Sequence, residues 1–255
     1  MISTLLAIIK IVFLLGFLIG IHETGHFLIA KLCKVKVNEF SIGFGPVIWR
    51  KETKETKYAL RLIPLGGFVR MEGEEERSDN EGSFSKASVP RRIAIVAAGA
   101  IVNIIFALII YFILSAVIIS QNAEIASNFQ NTVKLAGSST AKFATETIEG
   151  VKNLFTGKIT KDQLIGPVGI SEVVAKTNGF AEFTYILAVI SISLGVTNLI
   201  PFPPLDGGKI LLLIIEAIRR KPLKEDTEIK IQLLGFAILI GLSIFVTFND
   251  IVRIL

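Results

Sequence analysis

Cysteine is almost absent from this chain. Cys33 stands alone, so no internal disulfide can form and no thiolate metal site can be assembled; it reads as a small, mostly apolar residue. Charge is scarce as well, at 19% of residues. No long polar segment exists that could house a separate soluble catalytic domain, and internal repeats and low-complexity tracts are lacking. The first apolar run lacks a basic n-region and leads into His, Glu and Lys rather than a small-residue cleavage site. It is therefore read as a retained span and not as a signal peptide.

What is present is apolar. Hydrophobic residues make up 51% of 255 positions, which points to a multi-span membrane protein and away from a soluble enzyme. Four runs, at about 2–30, 93–119, 183–215 and 231–248, come close to the ~20 apolar residues a membrane crossing needs. The fold class expected is an α-helical polytopic membrane protein of about four transmembrane helices, one domain over 1–255, with a small β-hairpin or sheet after the first helix. The net charge of +5 resides in loops suited to anionic lipid and calls for no nucleic acid.

Lys and Arg are unevenly shared among the connections. Thirteen fall between the first two spans, six between Ser120 and Glu182, and five (Arg219, Arg220, Lys221, Lys224, Lys230) in the third connection. The positive-inside rule then places the first and third connections in the cytoplasm and both termini outside.

Within the first run lies His22-Glu23-Thr24-Gly25-His26. Two histidines four apart project from one helix face, and a Glu between them can act on a water held by a shared metal, the zinc-hydrolase arrangement. Ionisable groups inside a span cost roughly 2.5–3.5 kcal/mol each, so their presence argues for function. The site lies toward the cytoplasmic end of the span.

Downstream, Asn198-Leu199-Ile200-Pro201-Phe202-Pro203-Pro204-Leu205-Asp206-Gly207-Gly208 places three prolines and two glycines in an apolar segment. Broken backbone at membrane depth is tolerated only where it lines a cavity or is buried in protein. Asp206 is the acid of that segment, and zinc shared with His22 and His26 would compensate its charge. A salt bridge to Lys209 or an N-cap role before Gly207 are the alternatives.

Between these halves, residues 40–71 alternate apolar with small or polar side chains and read as short strands that dip toward the membrane, where a sheet edge could pair with an unwound substrate. The acidic run Glu72, Glu74, Glu75, Glu76, Asp79 and Glu81 reads as solvated. Gly99 and Asn103, four apart in the second run, suit close helix packing. The stretch 133–157 carries an apolar stripe suited to an amphipathic helix on the outer membrane surface, and Gly166-Pro167-Val168-Gly169-Ile170 reads as a turn opening a membrane-lining element.

Taken together, the first-span motif, Phe44-Gly45-Pro46, Pro64-Leu65-Gly66-Gly67-Phe68-Val69, Gly166–Ile170 and Asn198…Asp206-Gly207-Gly208 resemble the site-2 protease family, notably its bacterial sigma-E-activating branch. The resemblance runs from residue 5 to about 215. It implies intramembrane proteolysis with one zinc per chain, His22, His26 and Asp206 as ligands and Glu23 as catalytic acid/base. Asn198 would handle substrate or the oxyanion, with the hairpin glycines Gly43, Gly66 and Gly67 as further substrate-side candidates. The implied partners are the lipid bilayer and the transmembrane segment of a single-span protein, of anti-sigma-factor or remnant-signal-peptide type, in a bacterial inner membrane. Two departures stand out: the connection from Ser120 to Glu182 is too short for the PDZ domain of that branch, and Gly99-Ala100 replaces the family's usual Gly-Pro. Rival readings are a membrane-anchored zinc protease with a cytosolic site, and a transporter or assembly factor using a broken helix.

Overall fold

The computed structural model describes residues 2–122, 128–156 and 166–254. The order is α1 (Ile2–Leu32), β1 (Val37–Glu52), β2 (Lys57–Met71), a short 3-10 turn at Phe84–Lys86, α2 (Val89–Ser120), α3 (Phe129–Phe155), α4 (Pro167–Lys176), α5 (Phe180–Asn198), α6 (Asp206–Arg219) and α7 (Glu225–Ile254). Four of these helices, α1, α2, α5 and α7, are long and apolar enough to cross a membrane. The expected third span is interrupted: α5 stops at Asn198, a turn containing the prolines intervenes, and a separate α6 starts at Asp206.

Contacts divide the chain into two compact units. The first comprises Ile8–Val102 and Asn198–Leu242. Its core joins Ala30 at the end of α1, Val37 and Met71 at paired ends of the sheet, Phe84, Ile95 and Val96 of α2, and Leu213 of α6. Helix α1 ends where Lys34 takes a left-handed conformation, at φ 62°, and the Val35 N–H reaches back 2.9 Å to the Ala30 carbonyl. This double-back closure satisfies the last carbonyls and turns the chain into β1.

The sheet is a long hairpin. Val37 faces Met71 and Ile42 faces Gly67 on one side, Glu52 faces Lys57 at the hairpin end, and residues 57–60 also lie beside 39–42. Backbone sits directly on α1: a Cβ at Gly16 would stand 2.8 Å from the Pro64 carbonyl, so only glycine permits this approach. Phe44, Val47, Ile48, Trp49, Leu62 and Ile63 remain exposed, an apolar band beyond which Arg50–Lys57 is charged. A band of that kind suits lipid contact.

The second unit comprises Met1–Ala7, Asn103–Thr197 and Ser243–Leu255. Here the stretch expected to be amphipathic forms the helix α3. Asn128 caps its start by accepting the Asn131 N–H at 2.8 Å. Part of its apolar stripe is covered by protein: Phe143 is buried and stacks on Tyr111 at 4.1 Å between ring centres, beside Ala188 and Ile192, while Val133 and Ile148 stay exposed. The end of that segment, Gly157, lies outside the described residues. The glycine-proline turn opens α4, with Pro167 at the first helical position, as its fixed φ favours. Its cap comes from far away: the Asp250 carboxylate accepts the N–H of Gly169 at 2.8 Å and of Gly166 at 3.2 Å.

Candidate metal centre

The motif on α1 does what its spacing predicts. His22 and His26 lie one turn apart, each 9% exposed, with imidazoles edge to face at 4.8 Å between centres. The His26 Nδ1 stands 2.9 Å from the Ile95 carbonyl of α2. A carbonyl only accepts, so Nδ1 carries the proton and Nε2 presents its lone pair. This fixes both the tautomer and the direction in which the ring points.

Asp206, the first residue of α6, reaches the same point. Its Oδ2 lies 3.2 Å from the His22 Nε2 and 3.5 Å from the His26 Nε2, and the two nitrogens are 3.1 Å apart. That oxygen is buried and accepts no hydrogen bond. A tetrahedral zinc with bonds of ~2.0–2.2 Å needs donor atoms about 3.3–3.6 Å apart, so the triplet is already spaced to within a few tenths of an ångström for one. Among the described residues this is the group of His, Cys and acidic side chains that could hold a metal. The Asp206 alternatives fall away: Leu205, not Asp206, occupies the N-cap position, and Lys209 pairs with Glu74 at 2.6 Å.

Two glycines that look like packing residues shape this centre. A Cβ on Gly25 would stand 2.6 Å from the Ala98 carbonyl, so α1 and α2 meet backbone to backbone beside the histidines. Gly99 has a more specific position than the helix packing expected of it. A Cβ there would overlap the His26 Nε2 and stand 2.8 Å from the His22 Nε2. No local signal distinguishes Gly99 from an ordinary small residue of a span, because its neighbour belongs to a helix some seventy positions earlier.

Helix α6 begins without a side-chain cap. Its first turn is fixed by backbone contact instead: a Cβ on Gly207 would collide with the Leu199 and Ile200 carbonyls, and one on Gly208 would stand 2.7 Å from the Phe202 carbonyl. The glycine pair therefore permits the tight approach that brings Asp206 to the histidines.

A cavity of about 280 Å³ opens on this triplet. Glu23 lines it, as do Gly67, Phe68 and Val69 of β2 and Pro203–Leu205 of the broken segment. Gly67 approaches Glu23 closely: an added Cβ would stand 3.0 Å from the Glu23 Cγ. Of the substrate-side candidates only Gly67 lines the cavity. Gly43 and Gly66 shape the hairpin, with φ of 91° and 147°, and Gly66 packs under the Phe44 ring; Asn198, the last residue of α5, is not among the lining residues.

The acidic run is not simply solvated. Glu72 accepts hydrogen bonds from Asn38 at 2.9 Å, Asn80 at 2.9 Å and Ser78 at 3.0 Å, which hold its carboxyl below the usual carboxylate range. Glu74 lines the cavity. Sequence reading missed both because their partners lie on other segments.

The model of peptidase family M50 matches residues 10–242. A protein of Clostridium acetobutylicum, named as an inferred zinc metalloprotease, is 31% identical over 93% of this chain and 95% of its own length. A similarly named protein of Fusobacterium nucleatum is 27% identical over 94% and 97%. The zinc metalloprotease RasP of Bacillus licheniformis is 25% identical over 97% and 99%. These alignments extend over 321, 329 and 415 positions, so each relative carries segments without counterpart among the 255 residues here.

Proposed function

Since the chain belongs to peptidase family M50, we propose that it is an intramembrane zinc endopeptidase cleaving transmembrane segments of single-span proteins. The observation that carries this reading is the convergence of the His22 and His26 Nε2 atoms, on a helix long and apolar enough to cross a membrane, with the Asp206 Oδ2 at the start of α6, at 3.1–3.5 Å. His22, His26 and Asp206 would hold one zinc, which when bound supplies a Lewis acid for the scissile carbonyl and acidifies water.

The remaining chemistry belongs to the chain. Glu23 faces the same cavity and is not needed as a ligand, so its carboxylate is free to take a proton from the attacking water and pass it to the leaving amine nitrogen. His26 is held in its ligating tautomer by the Ile95 carbonyl. The β2 segment from Gly67 to Met71 lines the cavity and pairs with β1 on its other side, so an unwound substrate could add to it as a strand, offsetting helix hydrogen bonds lost on unwinding.

The charge distribution supports placement in a bacterial inner membrane with both termini outside and the site toward the cytoplasm. Anti-sigma factors and remnant signal peptides are the substrate types proposed. Purified protein should contain zinc at one ion per chain. Glu23→Gln should keep the zinc and lower cleavage of a single-span substrate at least a hundredfold; cleavage by that variant at the wild-type rate removes Glu23 from the mechanism. Metal-free, active protein would sink the assignment altogether.

A further inference from the structure

Lys209 lies one turn after Asp206 on α6. Its ammonium donates to Glu74 Oε1 at 2.6 Å and sits over the ring of Phe84, 5.0 Å from its centre. Both charged side chains are mostly covered, at 23% and 19% exposure, and Phe84 belongs to the core. Ionic groups this well covered are costly unless paired, and nothing in zinc hydrolysis by the three ligands and Glu23 requires them.

Their position suggests a purpose. Glu74 follows β2 by three residues, within a loop made rigid by Glu72: the Glu72 N–H donates to Lys36, its carbonyl accepts from the Phe84 N–H at 2.7 Å, and its carboxylate gathers Asn38, Ser78 and Asn80. Lys209 belongs to the turn that carries Asp206, a turn without a side-chain cap. Glu74 and Lys209 also line both the metal-site cavity and a neighbouring polar cavity of about 530 Å³, so the pair stands in the wall between them. The far end of α6 is tied separately, through Glu216 to Arg92 of α2 at 3.0 and 2.5 Å.

We propose that Glu74 and Lys209 are positioning residues for the metal-binding carboxylate: their ion pair ties the Asp206 turn to the end of the β2 strand and so holds Oδ2 at the two imidazoles. The proposal rests on the metal-centre reading above and adds to it residues that are not among the three metal ligands. Without the pair, the first turn of α6 and the proline turn it packs on lose their side-chain tie to the end of β2, so Asp206 is held at the histidines by that local backbone packing alone.

The test uses full-length protein in detergent or bilayer, with zinc affinity measured by chelator competition and thermal unfolding followed on the apo-protein. Removing one partner leaves a covered charge and could disturb folding, so the informative variant is the double neutral one, Lys209→Met with Glu74→Gln. It should bind zinc about ten- to a hundredfold more weakly, the range found for residues that orient metal ligands, with apo-protein unfolding near that of the wild type. The reversed pair, Lys209→Glu with Glu74→Lys, should bind zinc more tightly than the neutral pair. Wild-type zinc affinity in the double neutral variant, or a reversed pair no tighter than the neutral one, overturns the proposal. Wild-type protein that takes up no zinc at all is a separate failure, that of the metal centre itself.

Discussion

Gly99 faces the imidazoles so closely that a side chain there would occupy the space of a bound ion's ligands: its Cβ would overlap the His26 Nε2 and stand 2.8 Å from the His22 Nε2. Helix α2 cannot retreat cheaply, because Gly25 brings α1 against the Ala98 carbonyl one residue before. Gly99→Ala is expected to weaken zinc binding at least tenfold, as displacement of a fixed ligand does, while leaving the helices assembled. Chelator competition and circular dichroism check this together. An alanine variant with wild-type zinc affinity would show that α2 shifts freely, contrary to the close contact at Gly25.

Gly67 has the complementary position, against Glu23 and not against the metal ligands. Its added Cβ would meet the Glu23 Cγ and the Ser41 carbonyl, each at 3.0 Å. Gly67→Val should therefore leave zinc content unchanged and depress cleavage, with kcat falling tenfold or more because Glu23 is displaced from its water. Zinc content and single-turnover rate on the same preparation separate the effects. Loss of zinc in this variant would mean that the strand contacts the ligands more intimately than the geometry indicates.

The contrast between these glycines marks what could be read in advance. His22 and His26 were legible because helical periodicity places them on one face, and Glu23 because an acid between two such histidines fits the zinc-hydrolase pattern. Asp206 was legible because an acid among prolines in an apolar run needs compensation. Gly99, Glu74 and Lys209 were not, since each acquires its role from a partner 70 to 135 residues away in sequence. Glu72 looked like one more solvated carboxylate until Asn38, from the start of β1, was brought to it. The stripe on α3 was legible from its periodicity, but that Phe143 within it would pack against Tyr111 and Ile192 was not, since both partners lie on other helices. The break after Asn198 was legible from its prolines; the stopping point of α5 and the fresh start of α6 at Asp206 depend on backbone packing at Gly207 and Gly208.

Asp250 offers a stability test at a residue that takes no part in the metal site. It is 1% exposed and accepts two backbone N–H groups that open α4. Asp250→Ala strands both donors without an acceptor, at about 1–3 kcal/mol for each group left unpaired. Faster hydrogen exchange at Gly166 and Gly169 and a lower unfolding temperature are expected, with Asp250→Asn intermediate because one carbonyl oxygen survives. Unchanged exchange in the alanine variant would mean that water replaces the carboxylate at no cost.

Acid should loosen the loop that carries Glu74. Three donors, from Asn38, Asn80 and Ser78, lower the Glu72 carboxyl pKa below its ordinary value. A depressed folded-state pKa means that the group contributes stability above the unfolded value, ~4.3, and that the contribution disappears as pH falls through the lower, folded value. Order in the loop is thus complete at neutral pH and declines below pH ~4, when protonation takes away acceptor capacity at the oxygens. Hydrogen exchange corrected for intrinsic acid and base rates should show protection of the Ser78, Asn80 and Phe84 amides at pH 6 falling by pH 3. Glu72→Ala should show weak protection at both values, its pH dependence gone. Full protection in Glu72→Ala at pH 6 would mean that the Glu72 backbone, bonded to Lys36 and Phe84, holds the loop without help from the carboxylate.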